Sequence, residues 1–99
     1  MRFDIKDNKL EALYFEAKRI KKYIALEEEI ITVIDDIAAA TDERELYALK
    51  GLHFEKLSGK RKGLHSLRLN DQFRLIVSLE RDESGKWVLV HGIEDYHKG

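Results

Sequence analysis

The residues able to do chemistry crowd into the second half of the chain. Lys60-Arg61-Lys62 form a basic run closed by Gly63, Arg68 and Arg74 sit among alternating apolar residues, and Tyr96-His97 follow Glu94-Asp95. Guanidinium groups stay charged and offer a planar fork of donors that fits a phosphate. Histidine titrates nearest neutrality, and a tyrosine can either move a proton or stack on a nucleobase. Together these are the parts needed to cleave an RNA phosphodiester. A base must help the 2′-hydroxyl attack phosphorus, an acid must protonate the departing 5′-oxygen, and positive charge must meet the anionic phosphorane.

Arg74 is the first choice for that charge and Arg68 the second, while Tyr96 and His97 are the candidates for proton transfer. Lys56, Lys60, Arg61 and Lys62 would hold the RNA backbone, through contacts that position a strand without reading its bases. Glu55 is a possible base among these lysines. Each assignment has a plainer alternative: a surface arginine, an exposed basic loop, a surface glutamate, or a tail residue at His97.

Composition supports a localised anionic partner. The formal net charge is −1, yet residues 50–74 carry seven basic against two acidic side chains, a local excess of +5. A solvated surface would usually mix the signs, so this concentration points to one basic face rather than to adhesion all over. With no cysteine, disulfides, thiolate metal sites and cysteine nucleophiles are excluded together. His53, His65 and His91 lack the spacing of a ligand set, and no metal or cofactor is assigned. His91 is expected on a strand face with Trp87, Leu89 and Ile93, as a partly buried, hydrogen-bonded side chain. No apolar run approaches the roughly 20 residues that span a bilayer, and the opening Met1-Arg-Phe-Asp lacks the apolar core of a signal peptide, so a cytoplasmic protein is expected.

The elements that must position these residues are legible from periodicity. Met1, Phe3 and Ile5 alternate with Arg2, Asp4 and Lys6, which predicts a short half-buried strand. Asn8 and Glu11 have capping-box spacing and open a helix whose apolar stripe is Leu10, Leu13, Tyr14, Ala17 and Ile20. A second helix carries Leu26, Ile30, Val33, Ile34 and Ile37 on one side, and the two pack most simply as a hairpin. Asp42 and Glu45 repeat the capping spacing before a short helical turn with Leu46 and Leu49.

From Leu64 the period becomes two. Leu67, Leu69, Phe73, Leu75, Val77 and Leu79 share one face only if Leu69 opposes Phe73, which demands the three-residue connection Asn70-Asp71-Gln72. That register sets Arg68 beside Arg74 on the other face, where like charges repel unless an anion lies near. A third strand, Trp87 to Ile93, follows a turn at Asp82-Glu83-Ser84-Gly85. The fold class is therefore α+β: an N-terminal strand and a helix hairpin packed on one face of a mainly antiparallel sheet, in a single domain over residues 1–99.

The stretch from Leu52 through Gly59-Lys-Arg-Lys-Gly63 to Asn70-Asp-Gln-Phe-Arg74, with Ile93-Glu-Asp-Tyr-His97, resembles the HigB branch of the RelE/ParE-type bacterial toxins. The resemblance covers about half the chain. It implies a compact RelE-like fold and metal-independent cleavage of messenger RNA in the ribosomal A site. It also implies neutralisation by a cognate antitoxin, in this branch usually a HigA-like protein with a helix-turn-helix domain, and it lends weight to Tyr96. Many HigB-like chains carry lysine where this one has Ser58, so Lys56 or Lys60 would have to substitute. Two other functions remain compatible with the scaffold: ParE-like inhibition of DNA gyrase without nuclease chemistry, and a non-catalytic module that only binds antitoxin.

Overall fold

The computed structural model describes residues 1–96, so His97 lies outside the described residues. Five strands, β1 (Phe3–Ile5), β2 (Glu55–Lys56), β3 (Leu64–Arg68), β4 (Phe73–Asp82) and β5 (Gly85–Asp95), form one sheet in the order β1-β5-β4-β3-β2. β1 runs parallel to β5 and every other neighbour is antiparallel. Three helices, α1 (Asn8–Glu16), α2 (Glu27–Ala39) and α3 (Glu43–Ala48), lie on one side. Their Leu10, Leu13, Ile30, Ile34, Ile37 and Leu46 share one buried cluster with Leu67, Leu69, Leu75, Val77, Val88 and Val90 of the sheet. The α+β class and the one-sided packing are as the periodicity requires. Among the described residues no helix is long and apolar enough to cross a membrane.

The β3–β4 hairpin has the expected register. Leu67 opposes Leu75, Arg68 opposes Arg74, and the Leu69 N–H donates to the Phe73 carbonyl at 3.0 Å. The connection Asn70-Asp71-Gln72 is fixed by the Asn70 side chain, whose Oδ1 accepts from the N–H groups of Gln72 and Phe73, both at 2.8 Å. Asparagine suits this place because its short amide can stand in for a backbone acceptor within a turn.

Three details differ from expectation. The N-cap of α1 is Asp7 rather than Asn8, its Oδ1 accepting from the N–H groups of Lys9 and Leu10. The helix stops at Glu16 instead of running to Ile20. Ala17 takes a left-handed conformation (φ 56°), and the Lys18 N–H closes back on the Ala12 carbonyl at 3.2 Å. A 3₁₀ segment, Lys21–Leu26, then delivers Tyr23 and Leu26 to the core, so the helix hairpin has a longer connection than its apolar stripe suggests.

The third difference is in β5. Val77 pairs with Val90 but Ile76 pairs with Gly92, which leaves His91 as the extra residue of a β-bulge. Val88, Val90 and Ile93 pack toward the helices. Ile93 therefore does not share a face with Trp87, Leu89 and His91, because the bulge breaks the simple alternation. His91 is partly buried and hydrogen-bonded as expected, with Nε2 2.8 Å from Ser78 Oγ.

Candidate functional site on the open face of the sheet

Residues opposite one another across a ladder point to the same side, so the register maps the face that the helices leave open. From β2 to β5 it presents Glu55 and Ser66, then Arg68 and Arg74, then Glu94 opposite Arg74. Tyr96 joins them at the end of β5: its N–H donates to the Gln72 carbonyl and its ring lies under the Arg74 guanidinium, 4.6 Å from centroid to Cζ. This is cation–π geometry, which fixes the direction of the arginine. Arg74 Nη1 also donates to the carbonyls of Asn70 (2.7 Å) and Phe73 (3.3 Å). The same turn is tied to the end of β5 by Gln72 Nε2 donating to Asp95 Oδ2 at 3.1 Å. One turn thus holds both Arg74 and Tyr96.

Arg68 and Arg74 are kept from repelling one another by separate partners. Arg68 pairs with Asp71 of the turn, whereas Arg74 faces carbonyl dipoles and the Tyr96 ring. Arg61 reaches the same face from another direction. It closes the 3₁₀ turn Gly59–Arg61, and its Nη2 lies 2.6 Å from Glu94 Oε1. In strand order β3 and β4 lie between that turn and β5, so this contact runs across the sheet. Ser66 and Ile76, which point to the open side, are only 0% and 6% exposed although the helices lie on the other side. Lys60 and Lys62 flank Arg61 and are exposed.

Lys56 is not brought to this face. It pairs with His65, whose ring stacks on Phe54 at 4.7 Å on the helix side, so Glu55 and not Lys56 shares the arginine side. His65 is 5% exposed, and neither ring nitrogen has a hydrogen-bond partner among the described residues. Burial first, then the nearby Lys56 charge, pushes its pKa below the usual histidine value, against a smaller opposing pull from Glu43.

Two features of the face escape sequence reasoning. One is Glu94 as the partner of Arg61, residues far apart in the chain with no motif joining them. The other is a short polar chain: Ser78 Oγ donates to Glu80 Oε2 at 2.6 Å and lies 2.8 Å from His91 Nε2. A hydroxyl has one proton to give, so His91 carries its proton on Nε2 and donates it to Ser78. The open face as a whole can grip an anion, by three arginines whose resting partners are carboxylates, carbonyls and an aromatic ring.

The architecture is one shared with small α+β proteins of solved structure. The YoeB/ParE toxin from Agrobacterium tumefaciens superposes on 98% of this chain and 100% of its own with a TM-score of 0.58 at 15% identity. A chain of the YoeB-YefM complex from Staphylococcus aureus does so over 99% and 100% with a TM-score of 0.55 at 21% identity. At those identities the likeness is one of fold. The sequence narrows the class: residues 3–96 match the model of the HigB-like toxins, described as the RelE-like toxin of the type II toxin-antitoxin system HigB, and the chain belongs to that family. Toxin HigB-1 of Vibrio cholerae serotype O1 is 35% identical over 77 residues, which are 77% of this chain and 81% of that toxin.

Proposed function

We propose that this chain is a metal-independent endoribonuclease that cleaves messenger RNA on the ribosome and is silenced by a cognate antitoxin. The observation that carries this reading is the guanidinium of Arg74, fixed by the turn carbonyls and by the Tyr96 ring on the open face beside Arg68. A cation held in this way needs little reorganisation when charge builds on the phosphorane, which is where a preorganised group acts most strongly. Arg68 adds charge beside it. Tyr96 either donates a proton to the leaving oxygen or stacks on a base, and His97 is the second proton-transfer candidate. Glu55, on the same side of the edge strand, supplies a carboxylate able to take the 2′-hydroxyl proton.

Exposed Lys60 and Lys62, with Arg61, would carry the RNA backbone past the arginine pair. Lys56, on the helix side, would contribute only to a strand that passes round the sheet edge. So sparse a set of acid–base groups favours a reaction in which the ribosome aligns the message, since alignment alone can supply a large part of a rate enhancement. Action on ribosomes would make this a cytoplasmic protein. Membership of a toxin-antitoxin family supports an antitoxin partner, as does the YoeB-YefM complex among structures of this fold. A HigA-like helix-turn-helix protein is the expected one.

The test is to map RNA ends on a message translated in the presence of the protein. Breaks at codons occupying the A site, with translation arrest, are the expected result. DNA damage with intact messages would make the chain a gyrase inhibitor, and antitoxin binding with neither effect would make it a non-catalytic module.

A further inference from the structure

Every arginine of the open face is engaged at rest: Arg68 by Asp71, Arg74 by carbonyls and Tyr96, Arg61 by Glu94. Glu94 differs from the other partners because it stands directly opposite Arg74 in the ladder while binding Arg61 from across the sheet. Its carboxylate thus binds Arg61 from a position next to Arg74 on the same face. We propose that Glu94 is a resident stand-in for substrate: a phosphodiester of bound RNA displaces it from Arg61, and Arg61 and Arg74 then hold that phosphate together. This rests on the nuclease reading and assigns Arg61, beyond general backbone contact, to the phosphate at the Arg74 site.

The geometry makes the exchange feasible. The Arg61 and Glu94 side chains are 37% and 43% exposed, and pairs between partly exposed side chains hold weakly. Arg61 Nη2, though itself buried, makes no aligned hydrogen bond that would strengthen this one. A phosphodiester brings the same charge, with acceptor oxygens spaced for a guanidinium fork. Lys60 and Lys62, exposed on either side of Arg61, continue the positive path away from the site. Glu94 meanwhile keeps Arg61 neutralised beside Arg74 until RNA arrives, so deleting its charge should strengthen RNA binding instead of weakening it.

The experiment measures binding of a 2′-O-methyl RNA oligonucleotide, which lacks the attacking hydroxyl and stays intact, to the full chain. The proteins compared are wild type, Glu94→Gln, Arg61→Ala and the double variant, with Glu83→Gln as the same charge change in the distant β4–β5 turn. Glu94→Gln should bind roughly two- to five-fold more tightly, the range expected for release of one exposed ion pair. That gain should largely vanish without Arg61, and Glu83→Gln should show little of it. Unchanged or weaker binding by Glu94→Gln, or an equal gain in the Arg61→Ala background or at Glu83, overturns the proposal. If Glu94→Gln does not fold, inorganic phosphate titrated into the wild type must move the Arg61 Nε–H resonance together with that of Arg74; an unmoved Arg61 overturns it. A wild type that cleaves translated messages while Glu94→Gln shows no gain sinks the exchange alone. A gain in a protein that leaves those messages intact sinks the nuclease reading alone.

Discussion

The two faces of the sheet are written in alternate residues of the same strands, and they differ in chemistry: one is mainly apolar, the other carries the charged groups beside buried Ser66 and Ile76. The helix side holds Leu67, Leu69, Leu75 and Val77 between 0% and 7% exposed, a surface on which stability depends through apolar burial. The open side holds Arg68, Arg74, Glu94 and Tyr96, polar or half-exposed groups held by directional contacts: ion pairs, hydrogen bonds to carbonyls and a cation–π contact. Arg74 and Leu75 are neighbours in sequence yet belong to different problems. In a chain this short, a period of two lets the fold and the proposed chemistry be changed separately.

The sharpest way to break that separation is at residue pairs of this kind. Leu75→Ala empties a fully buried site and should cost about 2–5 kcal/mol of stability, read from the denaturant midpoint. In whatever fraction stays folded, the rate of message cleavage should be close to normal. Arg74→Ala should do the reverse. Cleavage should fall by about 10²–10³-fold, as when one preorganised donor is removed from a developing anion. Its unfolding midpoint should move far less than that of Leu75→Ala, and antitoxin binding should survive. A folded Arg74→Ala protein that cleaves at the normal rate would remove the open face from the mechanism.

Tyr96 sharpens the comparison within the open face. If the ring is a stacking platform, Tyr96→Ala should weaken RNA binding by about 1–3 kcal/mol, and Tyr96→Phe should restore it. Cleavage that stays low in the phenylalanine variant would assign proton transfer to the hydroxyl. A phenylalanine variant that binds as poorly as alanine would rule the platform out.

His65 is the polar residue caught on the helix side, and it predicts a pH effect of smaller size. Its folded-state pKa lies below the ordinary value, so the unfolded chain binds the extra proton more readily. Stability should therefore fall as pH drops through the unfolded histidine value of about 6.5, and this loss should level off below the folded-state pKa. Thermal unfolding of His65→Phe, which keeps the stack on Phe54, should lack that part of the acid slope. The smallest effect on stability belongs to Lys60, Arg61 and Lys62: neutralising all three should shift it by no more than ~0.5 kcal/mol. The same change should weaken RNA or ribosome binding and flatten its salt dependence through lost counterion release.

What could be read from the sequence follows the same division. The β3–β4 register, and with it the Arg68–Arg74 pair, was legible because one face is fully buried and a one-residue slip would expose every leucine. The helix stripe of α2 was legible for a similar reason. The end of α1 was not, because an alanine in the left-handed region carries no signature comparable to glycine. β2 is two residues long, too short for alternation to reveal that Glu55 and Lys56 face opposite ways. The Arg61–Glu94 contact depends on strand order, which periodicity does not determine.

The bulge at His91 sets the phase of everything after it. Val88 and Val90 turn toward the helices on even positions, and an unbroken strand would have sent Glu94 and Tyr96 after them, into the core. One supernumerary residue resets the count, so that Ile93 goes inward and Glu94 and Tyr96 arrive beside Arg74. β5 is thus two half-strands in opposite phase, spliced at a single point. Loss of His91 alone would close the bulge and leave both halves in phase, with Ile93 still inward and Glu94 and Tyr96 still outward, because Val90 and Gly92 already pair with adjacent residues of β4.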